Sequence, residues 1–281
     1  MKIIGITGGK GGTGKSTIST ALAVELARKG KKIFLCDMDA DCPNDHLLLG
    51  IERKQECAVH QRIAKWDFDK CDNCGKCAKV CRNNAIVCVE GTPPIFMAKQ
   101  CNGCGACVIE CPRDAISWDK KVVGAIYKGT GFGVDLLSCE LEINEPVSEI
   151  VVAKACEIIA ADKEKYDYII VDTAAGTHCD VIAALGACDA ALCITEPTPL
   201  GAHDLELICK LLSRMNMDFE VVVNRYEAGQ DEIVARVISK YSKTIFARVP
   251  YSKKIMIDYS SGIPVKHKSI EKITAWVEGL I

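Results

Sequence analysis

The stretch KIIGITGGKGGTGKST, residues 2–17, constrains this chain more than any other part of it. Its opening, Lys2–Thr7, is a short apolar run that reads as a buried strand, and residues 16–29 carry Ala, Leu and Val at helical spacing. Between them Gly9-Lys10-Gly11-Gly12-Thr13-Gly14-Lys15-Ser16, followed by Thr17, satisfies G-x-x-x-x-G-K-[ST]. Glycines in such a loop let backbone N–H groups turn inward onto phosphate oxygens, and the helix N-terminus adds positive potential. Lys15 is then placed to neutralise β/γ-phosphates and Ser16 to offer its hydroxyl to Mg²⁺. KKIFLCD reads as the next buried strand, ending at Asp37. A strand–loop–helix–strand opening is the mark of a parallel sheet.

The chain of 281 residues also carries 18 cysteines. No run of 18 apolar residues occurs, and the N-terminus runs straight into a strand, so neither a membrane span nor a signal peptide is expected. That points to the reducing cytoplasm, where many cysteines argue for metal ligation rather than disulfides. CDNCGKCAKVC supplies Cys71, Cys74, Cys77 and Cys81; CNGCGACVIECP supplies Cys101, Cys104, Cys107 and Cys111. Both read C-x2-C-x2-C-x3-C, the one clear internal repeat. Structural zinc takes sulfurs in two pairs, whereas here four stand in one run, twice, which favours iron–sulfur ligation. Cys36, Cys42, Cys57, Cys88, Cys139, Cys156, Cys179, Cys188, Cys193 and Cys209 are scattered, and most are expected to be buried hydrophobes. A net charge of −2 offers no global basic field, so no nucleic-acid partner is expected.

After Leu49 the periodic pattern breaks, and the cysteine segment occupies residues 57–118. VVGAIYK and DLLSCELEI are strand-like; residues 148–165 are helical; YDYIIVD, DAALCIT, DFEVVVNR and TIFARVP are strands with helices between. Residues 1–56 and 119–281 together therefore predict a discontinuous α/β domain, a mostly parallel sheet with helices on both faces, with a metal domain inserted at 57–118.

KGGTGKST resembles the deviant Walker A loop of the MinD/ParA/Mrp P-loop ATPases, a group that includes the nitrogenase iron protein. The resemblance implies that Lys10 reaches across an ATP-sandwich dimer to the partner's nucleotide. A cation supplied by a second subunit would couple hydrolysis to assembly. CDMDADCPN resembles switch I: Asp37 would hold Mg²⁺ through water and Asp39 would position the attacking water, with Asp41 as the alternative. YIIVDTAAG resembles the Walker B and switch II region, with Asp172 near Mg²⁺ and Gly176 letting the next loop move; Ala174 and Ala175 stand where relatives often carry proline. VVVNRYE places Asn224, and RVPYSKKI places Pro250 and Tyr251, where the family holds adenine; Glu196 and Pro197 fall in its post-strand loop.

The cysteine runs resemble bacterial two-cluster 4Fe-4S ferredoxins, an α+β fold. The resemblance implies one cluster on Cys71, Cys74, Cys77 and Cys111, and a second on Cys101, Cys104, Cys107 and Cys81. Gly75 and Gly105 would let the loops bend close to inorganic sulfide; Arg82 departs from the proline that follows Cys111. Cys179 lies where the nitrogenase iron protein ligates a shared cluster; Cys139 is a candidate partner, but a buried or half-buried free thiol is the favoured reading. Residues 268–280 carry Ile270, Ile273, Trp276, Val277 and Leu280 on one helical face, expected to dock on the core rather than on membrane.

Together these features predict an ATP-hydrolysing protein with ATP/ADP, Mg²⁺ and two 4Fe-4S clusters. Its homodimer, or heterodimer with a paralogue, would gate electron transfer to a redox protein. The alternatives are a metallocluster carrier of Mrp type, delivering to an apo-acceptor, and a MinD/ParA-like positioning ATPase with redox sensing.

Overall fold

The computed structural model describes residues 1–227 and 231–280. The chain forms two units: one comprises Met1–Cys57, Ala125–Leu141 and the chain from Val147 onward, the other Ala58–Gly124 and Glu142–Pro146.

In chain order, β1 (Lys2–Thr7), α1 (Lys15–Arg28), β2 (Ile33–Met38) and the one-turn α2 (Asp45–Leu48) lead into β3 (Arg53–Trp66). The cysteine region holds α3 (Lys76–Val80), β4 (Ile86–Val87), β5 (Ile95–Phe96) and α4 (Ala106–Ile109). Then come β6 (Ile116–Gly131), β7 (Val134–Leu141), α5 (Glu149–Asp162), β8 (Tyr168–Thr173), α6 (Cys179–Gly186) and β9 (Ala190–Thr195). The chain continues with α7 (Pro199–Arg214), β10 (Asp218–Tyr226), α8 (Glu232–Ser239), β11 (Ile245–Pro250), α9 (Lys253–Ser260) and α10 (Lys268–Glu278).

The large sheet runs β11-β10-β9-β1-β8-β2-β7-β6-β3. β1 pairs in parallel with β8 and β9, and β2 with β8 and β7. Every residue of β2, β8 and β9 is buried, because helices cover both faces of these strands. Ile18, Leu22 and Leu26 of α1, with Ile270, Ile273 and Val277 of α10, pack on one face. Val181 and Leu185 of α6, Leu205 and Ile208 of α7, and Val234 and Ile238 of α8 pack on the other. This is the expected α/β sheet, and α10 lies on the core, tied further by Lys29 Nζ donating to Glu278 at 2.7 Å. Among the described residues no helix is long and apolar enough to cross a membrane.

Two elements differ from the sequence reading. β3 begins with Arg53, Lys54, Gln55 and Glu56 and so presents no apolar run, yet it is a strand of 14 residues. β6 starts at Ile116, ahead of the expected VVGAIYK. The chain passes between the two units inside these strands. Within the smaller unit, β4 pairs antiparallel with β5, and Ala64, Cys77, Ile86, Cys107 and Ile116 form one buried cluster.

Candidate functional site

β1 ends at Thr7 and α1 starts at Lys15, so the glycine loop sits at the C-terminal edge of a central strand. Gly12 and Gly14 take φ of 79° and 93°, a conformation that side chains resist. A Cβ on Gly14 would also lie 2.1 Å from Asn224 Nδ2, so the close approach of these two residues admits only glycine. Asn224 donates from that nitrogen to the Thr13 carbonyl at 2.8 Å, pinning the loop to the end of β10. Lys15 is buried, and its Nζ donates to the Lys10 carbonyl at 3.4 Å.

A cavity of about 250 Å³ opens beside the loop, lined by Gly11, Gly12, Gly14, Lys15, Ser16, Thr17, Asp39, Asn224, Pro250 and Tyr251. Gly9, Lys10 and Thr13 are not among its walls. Lys10 points instead to Glu196, Nζ to Oε2 3.9 Å, and the same carboxylate accepts from Arg225 at 2.6 Å. Arg225, Asn44 and Ser252 line the cavity without having been read as site residues, as do Ile255, Met256 and Tyr259 of α9. No residue of α9 is buried, so its apolar side chains gave no core-facing pattern to detect. Gly176, at φ 96°, donates its N–H to the Gly8 carbonyl at 3.1 Å and ties the loop after β8 to the glycine loop.

Behind the loop lie three carboxylates. Asp37 and Asp172 are register partners across β2 and β8. Asp37 Oδ2 accepts the N–H groups of Asn44 at 2.9 Å and Asp45 at 3.1 Å. That fold-back brings the Asp45 carboxylate in, so that one oxygen from each of Asp37, Asp45 and Asp172 lies within 4.8 Å of the others. Asp45 was missed because an aspartate opening a helix reads as an ordinary first-turn acid. Burial, then the neighbouring Asp172 charge, pushes the Asp37 and Asp45 carboxyls well above the usual range. Burial raises Asp172 to about 6, held down by hydrogen bonding from Ser16 and by the Lys15 charge. Asp39, at the cavity wall, is also raised by burial, against the pull of Lys15.

The CobQ/CobB/MinD/ParA nucleotide binding domain model matches residues 4–265. The chain belongs to that family. A MinD/ParA-type P-loop ATPase domain thus extends over nearly its whole length. The uncharacterized protein MJ0579 of Methanocaldococcus jannaschii is 33% identical over 289 residues, covering 99% of this chain and 98% of that protein. Among solved structures, the cell division ATPase MinD of Pyrococcus furiosus superposes with a TM-score of 0.64 at 21% identity, covering 100% of this chain and 99% of that one. The septum site-determining protein MinD of Pyrococcus horikoshii, complexed with Mg-ADP, gives 0.62 at 20%, covering 99% and 96%.

This MinD/ParA-type chain places its repeated cysteines around two cavities. One is lined by Cys71, Cys74 and Cys77 with Cys111; the other by Cys101, Cys104 and Cys107 with Cys81. The local geometry repeats at an offset of thirty residues. Gly75 and Gly105 both cap a short helix at positive φ, 70° and 84°. Ala85 N–H donates to Cys81 Sγ and Ala115 N–H to Cys111 Sγ, each at 3.3 Å. Arg82 stands where the second half has Pro112 without altering that contact. A fifth thiol, Cys88, also lines the first cavity, with its Sγ 3.9 Å from that of Cys77. It had been read as one of the scattered cysteines. Burial and then Cys88 push the Cys77 thiol up to about 12; burial and then Cys101 raise Cys107.

Of the other scattered cysteines, Cys36, Cys139, Cys193 and Cys209 are buried, while Cys42 and Cys179 are exposed. Cys179 begins α6 facing solvent, which corrects its reading as a buried or half-buried thiol. Cys139 is 0% exposed within β7. A thiol so enclosed cannot reach a group at a subunit surface, and Cys139 is removed as a partner for Cys179 there.

Proposed function

We propose that this ATPase is an iron–sulfur protein in which ATP-dependent dimerisation gates electron transfer through two 4Fe-4S clusters to a redox partner. The observation that carries the reading is the gathering of four repeat cysteines about each of two cavities, the fourth of each set coming from the other run. Such a ferredoxin-like unit would be the inserted domain. Trp66 Nε1 offers a second sign of fit: it is buried at the first cavity beside the Cys77 thiol, where its N–H would serve a ligating sulfur. Bound there, the clusters would supply one-electron transfer.

At the nucleotide cavity, Ser16, Asp37 and Asp172 would serve Mg²⁺, Lys15 the phosphates, Asp39 the attacking water, and Asn224, Pro250 and Tyr251 the base. The likeness of fold to a MinD complexed with Mg-ADP supports this assignment. To act on a partner's nucleotide, Lys10 must leave Glu196. Their contact is 3.9 Å with the lysine side chain 41% exposed, so parting costs about 0–1 kcal/mol. Coupling to the cysteine unit has a covalent route: the chain enters that unit at Ala58, soon after Asp45, and returns through β6 to β7, whose Ser138 is the register partner of Asp37.

A positioning role of the MinD kind is the alternative that the family favours. The packing of α10 on the core, with Ile270, Ile273 and Val277 buried, weighs against a membrane-seeking tail. Anaerobically purified protein decides between the readings. It should contain iron and sulfide and hydrolyse ATP with Mg²⁺; Lys10→Ala should abolish hydrolysis while nucleotide binding persists. Electron paramagnetic resonance of the reduced protein should differ between ATP, ADP and no nucleotide. Iron-free protein sinks the cluster assignment, a nucleotide-blind spectrum sinks the coupling, and rapid loss of clusters to an apo-ferredoxin points to a carrier.

A further inference from the structure

Asp37, Asp45 and Asp172 are 1%, 0% and 1% exposed, and together they can carry three negative charges. The nucleotide reading uses two of them and has no role for Asp45. Both Asp45 carboxylate oxygens and Asp172 Oδ1 are buried with no N–H or O–H donor, and the Asp45 side chain is paired with that of Asp172, itself an acceptor. Buried carboxylate oxygens are ordinarily satisfied by donors, protons or a metal ion, because stripping them of water is costly. Lys15 is the cation that acts on Asp172, one positive charge against as many as three.

We propose that Asp37, Asp45 and Asp172 form a site for one hard divalent cation, Mg²⁺ or Mn²⁺, held by the protein before any nucleotide arrives. The donor set is all oxygen, which selects this class of ion. The donors lie within 4.8 Å of one another. Around an ion with ~2.1 Å bonds, neighbouring ligand oxygens stand ~3 Å apart and opposite ones ~4.2 Å, so small side-chain adjustments close the site. The scaffold is held by backbone contacts. Asp37 and Asp172 are cross-strand neighbours in the middle of the sheet, and Asp45 is anchored by its own N–H donating to Asp37. The site goes beyond the nucleotide reading: Asp45 is added as a ligand, and binding needs neither phosphates nor clusters.

The test is a titration of full-length, nucleotide-free protein with Mn²⁺, following the free ion by electron paramagnetic resonance. About one Mn²⁺ per chain should be held and then displaced by excess Mg²⁺, which thiolate sites would not yield to. Asp45→Asn and Asp45→Ser should each weaken that binding by about tenfold or more. Millimolar Mg²⁺ should raise the melting temperature of the nucleotide-free wild type by ~2–4 °C and leave Asp45→Asn unmoved. Wild-type protein that leaves Mn²⁺ free until ATP is added overturns the proposal and means that shared protons neutralise the carboxylates. So does an Asp45→Asn variant that binds Mn²⁺ as well as wild type. The wild-type titration decides even if neither variant folds. ATP binding, assayed separately, reports on the nucleotide reading.

Discussion

In the first half of the cysteine unit the cavity wall includes Trp66 and Cys88; thirty residues on, the same two positions are Phe96 and Trp118, which line the second cavity. The cysteine skeleton is shared: four cysteines, a positive-φ glycine before the helix, and an alanine N–H donating to the last sulfur of each run. What changes is the polarity of the lining. The first cavity has a buried indole N–H beside the Cys77 sulfur and a spare thiol. In the second, Phe96 has no donor and Trp118 is covered by the Arg62 guanidinium 4.4 Å above its ring. Backbone geometry around ligating sulfurs admits little variation, whereas the side chains beyond them are free to diverge. Two cavities of one plan are therefore expected to hold the same group with different retention and different potential.

The largest expected difference is in ligand loss. Cys107→Ala should remove about half the iron and one of two reduced signals, since each cavity would account for one four-iron cluster. Cys77→Ala should lose less, because Cys88 stands 3.9 Å away and can take the vacated position, whereas Trp118 cannot. Equal losses in iron assays of the two variants would break the comparison.

Next come the glycines. Gly75→Ala and Gly105→Ala both force a side chain into the left-handed region, at ~1–2 kcal/mol each. The new Cβ at Gly105 would sit 3.0 Å from Trp118, while at Gly75 the nearest atom is Cys88 Cβ at 3.7 Å. Thermal melts should show Gly105→Ala as the more damaged of the two.

Trp66→Phe makes the first cavity resemble the second. Losing one N–H donor worth ~1 kcal/mol to cluster sulfur should lower the first potential by ~40 mV. Redox titration should show the two potentials shifting relative to each other; no shift would mean that Trp66 does not face a bound cluster. The smallest effect belongs to Arg62→Ala, which removes the ring contact and the Nε donation to Gly103 O at 3.2 Å. Its cost of ~1 kcal/mol should appear in stability, with the first-half signal unchanged.

The legibility of the molecule follows the range of the interactions involved. The glycine loop, the apolar strands and the repeat cysteines are written in contiguous residues, so the α/β sheet and the cavity walls at Gly11, Gly12, Gly14, Lys15 and Ser16 could be read directly. β3 escaped because its polar start gives no periodic signal before the buried positions begin. Cys88 escaped although the repeat offset was visible, because its counterpart is Trp118 rather than a cysteine.

By itself the sequence determined most of the segments that become strands and helices, where a backbone must turn at glycine, and which sulfurs come in sets of four. These depend on neighbours a few residues away, through hydrogen-bond periodicity and steric limits on φ. The tertiary structure decided the rest: that Asp45 faces Asp37 and Asp172, that Lys10 rests on Glu196, and that Cys88 borders Cys77. Each of those meetings joins side chains brought together only by packing, and their charge and hydrogen-bonding consequences exist only once water has been excluded between them.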